Sequence, residues 1–541
     1  MQQGLDSGVV GSPERRKERH DSMKGRQRWA TRTGLILALA GNAIGLGNFL
    51  RFPVQAAQNG GGAFMIPYFF ALAVIGLPMM WMECTIGRYG GRHNHGHAAG
   101  MLHMLWDHPV AKYIGALGLF IPFTIGIYYI YITSWTLAFS VFSLLGSYDG
   151  LTDRAAMGSF LRGFQGVESN QYFGSVATAY VAYMATLGLT AMILLGGVAK
   201  GIERLAKIAI PLLFALGALL AVRVLTLGAP VPAHPEWNVS AGLGFVWNPD
   251  FSALADPGVW VAAAGQVFFS LSIGWGIIHT YVSYLEPDDD VVLTGMSTAG
   301  LNEFAEVVLG GTIAITAAVC FFGVAATQDI ANGGAFDLGF QAMPVIFQQL
   351  PAGNLIGALW FALLFFAGLT SAVAMAQPMI ALVEEGFGAT RRQAVFVVVG
   401  AFGVLTQPVI FLQRYGFLDE IDYWVGTIGL VVFALLEIIV FAWMFGIDRG
   451  WAELERGALV KPPAFMGQIL RWVTPSFLAG ILFLWVWNEV PDKFAMTSVA
   501  PEARSSILAA RGLVVGVLIA ICLMVRKASK NWQYLPSEEL S

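Results

Sequence analysis

Long apolar segments separated by short charged stretches dominate the hydrophobic pattern of the chain. No Asp, Glu, Lys or Arg occurs between Arg32 and Arg51. Further uncharged stretches run over 52–82, 113–148, 169–199, 257–285, 307–328, 338–383 and 393–413. Shorter apolar runs follow four charged residues, Lys207, Asp422, Arg471 and Arg504. Since ~20 apolar residues span a bilayer as a helix, the pattern predicts an all-α membrane protein with about twelve transmembrane helices.

The first apolar segment carries a polar interruption. Over 41–48 its sequence is GNAIGLGN, and a similar interruption, FFSLSIGWG over 268–276, lies where a sixth helix would run. In hydrocarbon an unpaired backbone group is costly, so a helix break persists only where a polar ligand or protein group satisfies the freed amides and carbonyls. The pattern therefore predicts that helices 1 and 6 are unwound around a binding site at membrane depth, which indicates a transporter.

Breaks in the first and sixth helices imply two five-helix repeats. With an odd number of spans in each repeat, the second copy is inverted, and ligands should bind where the breaks face each other. We expect repeats over about 26–224 and 256–445 and two extra helices over about 466–526. The transmembrane domain would then cover about 26–530, between a disordered cytoplasmic tail over 1–25 and a short cytoplasmic tail over 531–541.

Basic residues predict the orientation. A group of them precedes the first helix: Arg15, Arg16, Lys17, Arg19, Lys24, Arg26, Arg28 and Arg32. Cytoplasmic loops carry the excess of Lys and Arg, so the N-terminus should be cytoplasmic, and an even number of helices returns the C-terminus to the same side. With 56% hydrophobic and 12% charged residues, the chain is expected in the cell (inner) membrane as a multi-pass protein.

The sequence gives no support to enzyme chemistry. The nearest match to a hydrolase nucleophile motif, GMSTA over 295–299, lacks the second glycine, and no phosphate-binding loop is present. The three cysteines have no metal or disulfide spacing. His93, His95 and His97 alternate in what is expected to be a solvated loop. His279, within the sixth apolar run, is interpreted as a hydrogen-bonded structural residue in preference to a proton relay.

The breaks suit a zwitterion. A half-helix N-terminus offers amide donors and a positive dipole end to a carboxylate, while a half-helix C-terminus offers carbonyls to a cation. An amino-acid carboxylate would bind near Leu46 and Gly47, and its ammonium group near Phe269. A sodium ion suits the remaining carbonyls.

Several motifs carry a family resemblance. They are WATRTGLILALAGNAIGLGNFLRFP over 29–53, NGGGAF over 59–64, YYIY over 128–131, KGIERLAK over 200–207, DPGVW over 256–260, FAGLTS over 366–371 and GTIG over 426–429, with Asn302 and Glu303. On these motifs the chain resembles the neurotransmitter:sodium symporter family over nearly its whole length after residue 25. The resemblance implies the LeuT-like fold, with inverted five-helix repeats, and sodium-coupled transport of neutral amino acids.

The resemblance also implies two sodium sites. The first would use Ala43, Asn48, Ser270 and Asn302, together with the substrate carboxylate. The second would use Gly41, Ile44, Ala367, Thr370 and Ser371. Neutral hard oxygens suit a releasable alkali cation. The alternative is that these polar side chains only join helices by hydrogen bonds.

The implied substrate pocket contains Ala43, Leu46, Gly47, Ile125, Tyr129, Phe269, Ser270, Ser272, Trp275, Ser371 and Met375. Ile125, Trp275 and Met375 are no smaller than their counterparts in the family's leucine-transporting member. Because overpacking costs ~1–3 kcal/mol, the pocket should favour glycine, alanine or another small neutral amino acid. Trp can rotate and Met is flexible, so leucine and methionine stay open.

Four acids lie within or beside apolar runs. In the family, chloride-dependent members carry serine where this chain has Glu306. Glu306 should therefore substitute for chloride, making transport chloride-independent, and could take up a proton on the return step. Glu83, Glu303 and Glu437 are interpreted as structural acids satisfied by helix-break amides or hydroxyls.

The resemblance implies gates on both sides. Arg51 and Asp422 match the extracellular pair, with Gln266 beside them, and Tyr129 with Phe269 matches the aromatic lid. On the cytoplasmic side Arg26 would pair with Glu385, covered by Trp29 and Tyr284.

These observations predict a sodium-coupled symporter of neutral amino acids that works by alternating access, with two sodium ions. Its partners would be the amino acid, sodium and the lipid bilayer, with no nucleic acid, and a homodimer stays open. The alternative is a sensor that binds amino acid and sodium without transport. Gates on both sides favour transport over a sensor or a channel.

Overall fold

The computed structural model describes residues 27–532. Every regular element in that range is helical, and no strand occurs there. The helices that build the bundle are α1 (Arg32–Ala43), α2 (Leu46–Gln58), α3 (Gly62–Arg92), α4 (Ala111–Leu144), α5 (Ala177–Leu195), α6 (Val198–Leu225), α7 (Pro257–Ser270), α8 (Ile277–Val282), α9 (Val291–Asn332), α10 (Gly353–Phe387), α11 (Arg391–Phe411), α12 (Phe417–Glu455), α13 (Phe465–Asn488) and α14 (Pro501–Asn531). Shorter helices in the connections are Ala98–Leu105, Arg154–Phe164, Val239–Trp247 and Met343–Gln348.

Ten of the described helices are long and apolar enough to cross a membrane, and an eleventh span results if α1 and α2, bent by 48°, are counted as one. The remaining expected span consists of α7 and α8, of 14 and 6 residues, which are too short separately. The predicted all-α membrane class is confirmed. The domain limits and the inverted repeats stay predictions, and most of the two predicted tails lies outside the described residues.

The centre of the molecule is built on α4 and α10, which pack against each other along their length. At Gly368 of α10 an added Cβ would lie 2.7 Å from the Thr133 hydroxyl of α4, so a small residue permits this close approach. Helices α5, α13 and α14 are peripheral, and apolar side chains such as Val181, Phe483 and Leu523 are exposed on them. Such faces are stable against lipid, which is as apolar as the side chains themselves.

The break between α1 and α2 is closed by its own side chains. α1 ends as Ile44 N–H donates to the Ala40 carbonyl, and Gly45 then takes an extended conformation. The Asn48 side-chain oxygen accepts the Gly45 N–H at 2.9 Å and so restarts the helix as α2. A Cβ at Gly45 would lie 2.9 Å from the Tyr129 hydroxyl, which explains the glycine.

The second break, over 271–276, uses left-handed backbone at Ser272, Gly274 and Gly276, with φ of 54°, 76° and 74°. At Gly276 an added Cβ would lie 2.2 Å from the Gly118 carbonyl oxygen of α4, so only glycine fits there. The Ser272 hydroxyl lies 3.4 Å from the Asn42 carbonyl oxygen. The two breaks therefore touch each other in the core.

Candidate functional site

A cavity of about 440 Å³ extends from the two helix breaks towards one end of the helix bundle. Leu46, Gly47, Ile125, Tyr129, Phe269 and Trp275 line it near the breaks. Arg51, Tyr128, Asp419, Asp422 and Trp485 line it farther out. The deep part is thus apolar and uncharged, while the charged side chains are confined to the outer part.

Contacts around the break narrow the deep part of the cavity. The Leu46 N–H donates to the Tyr129 hydroxyl at 3.2 Å. The Phe269 ring lies so close to Gly47 that an added Cβ would be 2.7 Å from it, and it makes an edge contact with Trp275 at 5.9 Å between centroids. The Trp275 indole N–H is buried without a hydrogen-bond partner. The N-terminal end of α2 and the C-terminal end of α7 therefore meet at this point.

The other residues predicted for the substrate pocket, Ala43, Ser270, Ser272, Ser371 and Met375, are buried but do not line this cavity. The hydroxyl groups of the three serines bind other protein groups instead. Ser371 donates to the Asn42 carbonyl at 3.1 Å, and Ser270 donates to Glu306.

The side chains expected in the first sodium site come together. The Asn48 side-chain N–H donates to the Asn302 oxygen at 2.9 Å, and the Asn302 N–H donates to the Ser270 hydroxyl at 2.6 Å. Ala43, at the end of α1, is buried. This network links α2, α9 and α7, which also fits the structural alternative of polar side chains joining helices.

The groups expected in the second sodium site also meet. The Ser371 hydroxyl lies 3.4 Å from the Gly41 carbonyl oxygen and 3.2 Å from that of Ala367. Thr370 donates to the same Ala367 carbonyl at 3.0 Å. Ile44 follows as the last residue before the break. An added Cβ on Gly41 would lie 3.2 Å from Thr370 Cβ, so glycine lets α1 approach α10 here.

Glu306 is the centre of a buried polar network. Its carboxylate accepts hydrogen bonds from Asn48 at 2.9 Å, Gln266 at 2.9 Å and Tyr68 at 3.1 Å, and also from the Ser270 hydroxyl. The Tyr68 hydroxyl also lies 2.7 Å from Glu303. Four polar side chains therefore converge on one carboxyl group. The sequence does not predict a role for Tyr68, because nothing distinguishes this tyrosine from the other residues of its long apolar stretch.

The predicted extracellular gate is not closed by an ion pair. Within the described chain no charged contact of 4.0 Å or less joins Arg51 to Asp422. The Arg51 guanidinium lies over the Phe269 ring at 4.2 Å, and Asp422 accepts the Tyr128 hydroxyl at 2.5 Å. Both residues line the cavity, and Gln266, expected beside them, donates to Glu306 instead.

The opposite side of the breaks is closed. Trp29 donates its indole N–H to the Tyr281 carbonyl at 2.7 Å, and its ring lies 6.5 Å from that of Tyr284. The Tyr284 hydroxyl accepts from Gln377 at 2.8 Å, and Gln377 accepts from Arg391 at 2.9 Å. Trp29 and Tyr284 thus lie together, as the resemblance implies.

Arg26, the expected basic partner of the inner gate, lies outside the described residues. Glu385 accepts the Gly96 N–H at 2.8 Å. Its neighbour Glu384 forms an ion pair with Arg391 at 3.4 Å and was missed by the sequence reasoning.

The expectation of a solvated histidine loop is wrong for two of its three residues. His95 and His97 are 5% and 0% exposed, respectively. Their rings pack against Trp532, at 5.4 and 5.6 Å between centroids.

Known proteins resemble this chain in sequence and fold. The family described as Sodium:neurotransmitter symporter matches residues 26–149 and 153–530. An uncharacterized sodium-dependent transporter of Methanocaldococcus jannaschii is 30% identical over 511 residues, 94% of this chain and 99% of that protein. Sodium- and chloride-dependent glycine transporter 2 of Xenopus laevis is 25% identical, over 86% of this chain and 65% of that protein. The crystal structure of MhsT in complex with L-phenylalanine has a TM-score of 0.71 at 30% identity, over 85% of this chain and 99% of that one.

These matches confirm the resemblance that the motifs carry, because they extend from the residues before α1 to the end of α14. They also confirm that the chain is a multi-pass membrane transporter of the sodium-dependent class and not an enzyme. The chain belongs to the sodium:neurotransmitter symporter family.

Proposed function

We propose that this protein couples inward sodium movement to the uptake of a neutral amino acid by alternating access. The observation that supports this most strongly is the meeting of α2 and α7 at the cavity, where the Phe269 ring touches Gly47. The amide end of α2 offers donors to a carboxylate, and the carbonyl end of α7 offers acceptors to an ammonium group. The absence of charged side chains in the deep part of the cavity favours a substrate without net charge.

Two sodium ions accompany the substrate in this proposal. The first binds Ala43, Asn48, Ser270 and Asn302 together with the substrate carboxylate, which couples ion and substrate directly. The second binds Gly41, Ile44, Ala367, Thr370 and Ser371. Support comes from the short distances among these oxygens, 3.0 to 3.4 Å around Thr370 and Ser371. Hard neutral oxygens at such spacing suit an alkali cation.

Transport does not require chloride in this proposal. The Glu306 carboxylate accepts from Asn48, Gln266, Ser270 and Tyr68, so a fixed negative charge already lies beside the first sodium site. A chloride ion in the same place would meet electrostatic repulsion from that carboxylate. Uptake of a proton by Glu306 on the return step belongs to the same proposal.

The substrate we propose is small to medium in size and apolar. Ile125 and Trp275 occupy the deep part of the cavity, and the Trp275 ring is held by its edge contact with Phe269. These large side chains favour glycine or alanine as substrate, and leucine or methionine stays open because Trp275 can rotate aside.

The asymmetry of the two sides supports alternating access. A cavity leads from the breaks past Arg51 and Asp422, while Trp29 and Tyr284 close the other side. We assign the side on which Trp29 lies to the cytoplasm, because basic residues of the chain gather on that side. Both termini are assigned to the same side. Arg28 pairs with Glu286, and Lys207 with Glu203 at 2.6 Å. By the positive-inside tendency, the cavity then opens to the outside of the cell.

Ligand-induced stabilisation tests this proposal. The melting temperature of the purified transporter is measured with a panel of neutral, acidic and basic amino acids, in sodium and in potassium. Small neutral amino acids are expected to raise it in sodium only, because a ligand that binds the folded state stabilises it. Equal stabilisation in potassium, or stabilisation by charged amino acids alone, would contradict the proposal.

A further inference from the structure

Three ionisable side chains meet beside the second helix break, away from the proposed sodium and substrate sites. They form the acid–histidine cluster: Glu83 on α3, His279 on α8 and Glu437 on α12. All three are 0% exposed. One nitrogen or oxygen atom from each lies within 4.8 Å of the others, and His279 Nε2 is 3.4 Å from a Glu437 oxygen.

Most polar atoms of the cluster have no hydrogen-bond partner outside the cluster. One Glu83 oxygen accepts the Gly274 N–H at 2.5 Å. The other Glu83 oxygen, both oxygens of Glu437 and both ring nitrogens of His279 face only one another. Buried polar groups are almost always paired, and leaving them unpaired is most costly at membrane depth, so this arrangement requires a ligand.

Charge balance defines that ligand. Two carboxylates and a neutral imidazole would hold two negative charges in a buried site, which costs several kcal/mol per ion. The nearest basic residue on α3 is Arg88, and it is engaged elsewhere, with Glu453 and with the Asp289 and Arg456 carbonyls at 2.6 and 2.7 Å. Within the described chain, the cluster therefore needs two positive charges, from two protons or one divalent cation.

Access to the cluster favours protons. The 3.4 Å between His279 Nε2 and a Glu437 oxygen would suit zinc ligands as well, but a metal ion also needs a path to its site. The cavity that reaches the substrate pocket does not reach the cluster, and a proton needs no cavity. Small rotations convert the present distances into carboxyl–carboxylate and imidazolium–carboxylate hydrogen bonds.

We infer that Glu83, His279 and Glu437 form a proton-binding site that holds two protons at neutral pH. One is shared between the two carboxyl groups, and the other makes His279 an imidazolium facing Glu437. The site joins α3, α8 and α12 and holds the break through Gly274, the residue before Trp275. As pH rises and a proton leaves, the net negative charge separates Glu83 from Glu437, so the site links pH to the wall of the substrate pocket.

Infrared spectroscopy of the purified transporter tests this inference without any transport assay. Protonated carboxyl groups absorb apart from carboxylates, so their number can be compared between variants. Glu83→Gln and Glu437→Gln should each remove the signal of the same single carboxyl group, because either leaves one carboxylate paired with the imidazolium. His279→Gln should add one protonated carboxyl group, because neutrality then requires both acids to be protonated. Glu455→Gln, outside the cluster, is the matched control.

The carboxyl signal is expected to fall in the two Glu→Gln variants and to rise in His279→Gln. These opposite changes distinguish proton binding from a merely structural role. If all three variants leave the carboxyl signal unchanged, the inference is overturned. Stoichiometric zinc in the purified protein, lost in His279→Gln, would overturn it in favour of a metal site. Should Glu437→Gln not fold, His279→Gln and a pH titration of the unmodified protein still decide the question.

Discussion

The side-chain oxygen of Asn48 accepts the backbone N–H of Gly45 at 2.9 Å, so one residue both closes the helix break and restarts the helix after it. The nitrogen of the same side chain points to Asn302 and Glu306, at 2.9 Å each. One asparagine thus joins the local structure of the break to the proposed ion site. Replacing Asn48 should therefore affect ion binding much more than folding.

Asn48→Ala is expected to abolish sodium-driven uptake while the protein still folds. The variant loses a sodium ligand and a cap, and a cap is worth ~0.5–2 kcal/mol, which a large helical protein tolerates. Uptake and the melting temperature are measured together. Asn59→Ala is the matched control, because the Asn59 side chain bonds only the Gln55 carbonyl in the same helix turn, at 2.8 Å. Unchanged uptake in Asn48→Ala would remove Asn48 from the ion site.

Glu306→Ser is expected to make transport depend on chloride. The substitution removes the fixed negative charge but leaves the donors Gln266, Ser270 and Tyr68 to hold an anion. Uptake is compared in chloride and in gluconate. Glu303→Gln, which removes a neighbouring acid outside this set of contacts with Gln266 and Ser270, should stay indifferent to chloride. A Glu306→Ser variant that is also indifferent would contradict the proposed role of the carboxylate.

Trp275→Phe is expected to shift selectivity from alanine towards leucine. The smaller ring enlarges the deep part of the cavity, and a single methylene group in such a pocket is worth ~1–3 kcal/mol, or roughly tenfold or more in relative affinity. Competition between the two amino acids measures the ratio. Trp260→Phe is the control, because Trp260 is 37% exposed and lies outside the cavity. An unchanged ratio would show that Trp275 does not limit substrate size.

Substrate and sodium together are expected to close the cavity. A reporter, Thr427→Cys, is introduced into a Cys522→Ser background, in which the remaining cysteines, Cys84 and Cys320, are buried. Its reaction with a water-soluble thiol reagent should slow severalfold when both ligands are present, as Arg51 and Asp422 approach each other. An exposed control, Ser252→Cys, should react at the same rate throughout. Equal rates at Thr427→Cys would argue against closure on this side.

The sequence predicts the positions of both breaks because glycine, asparagine and serine within an apolar run are visible without any knowledge of packing. Residues brought in by packing are harder to find. The burial of His95 depends on Trp532, far along the chain, and Tyr68 reaches Glu306 only in the folded bundle. Arg51 and Asp422 match the expected gate pair, yet the structure places Arg51 over Phe269 and Asp422 against Tyr128, contacts that no motif encodes.

Glu384, a missed residue, shares a helix face with Gln377, because the two lie seven residues apart in α10. The structure brings Arg391, at the start of α11, into contact with both. The adjacent Glu385 is rotated by roughly 100° around the same helix and accepts from Gly96 instead. The period within α10 therefore distinguishes Glu384 from Glu385, but the contact with Arg391 depends on how α11 packs.

The most direct test of the central claim is uptake of radiolabelled neutral amino acids into proteoliposomes, with an inward sodium gradient and a potassium control. We expect accumulation above the external concentration that collapses when the sodium gradient is removed. Saturable sodium-dependent binding without accumulation would contradict symport and favour the sensor.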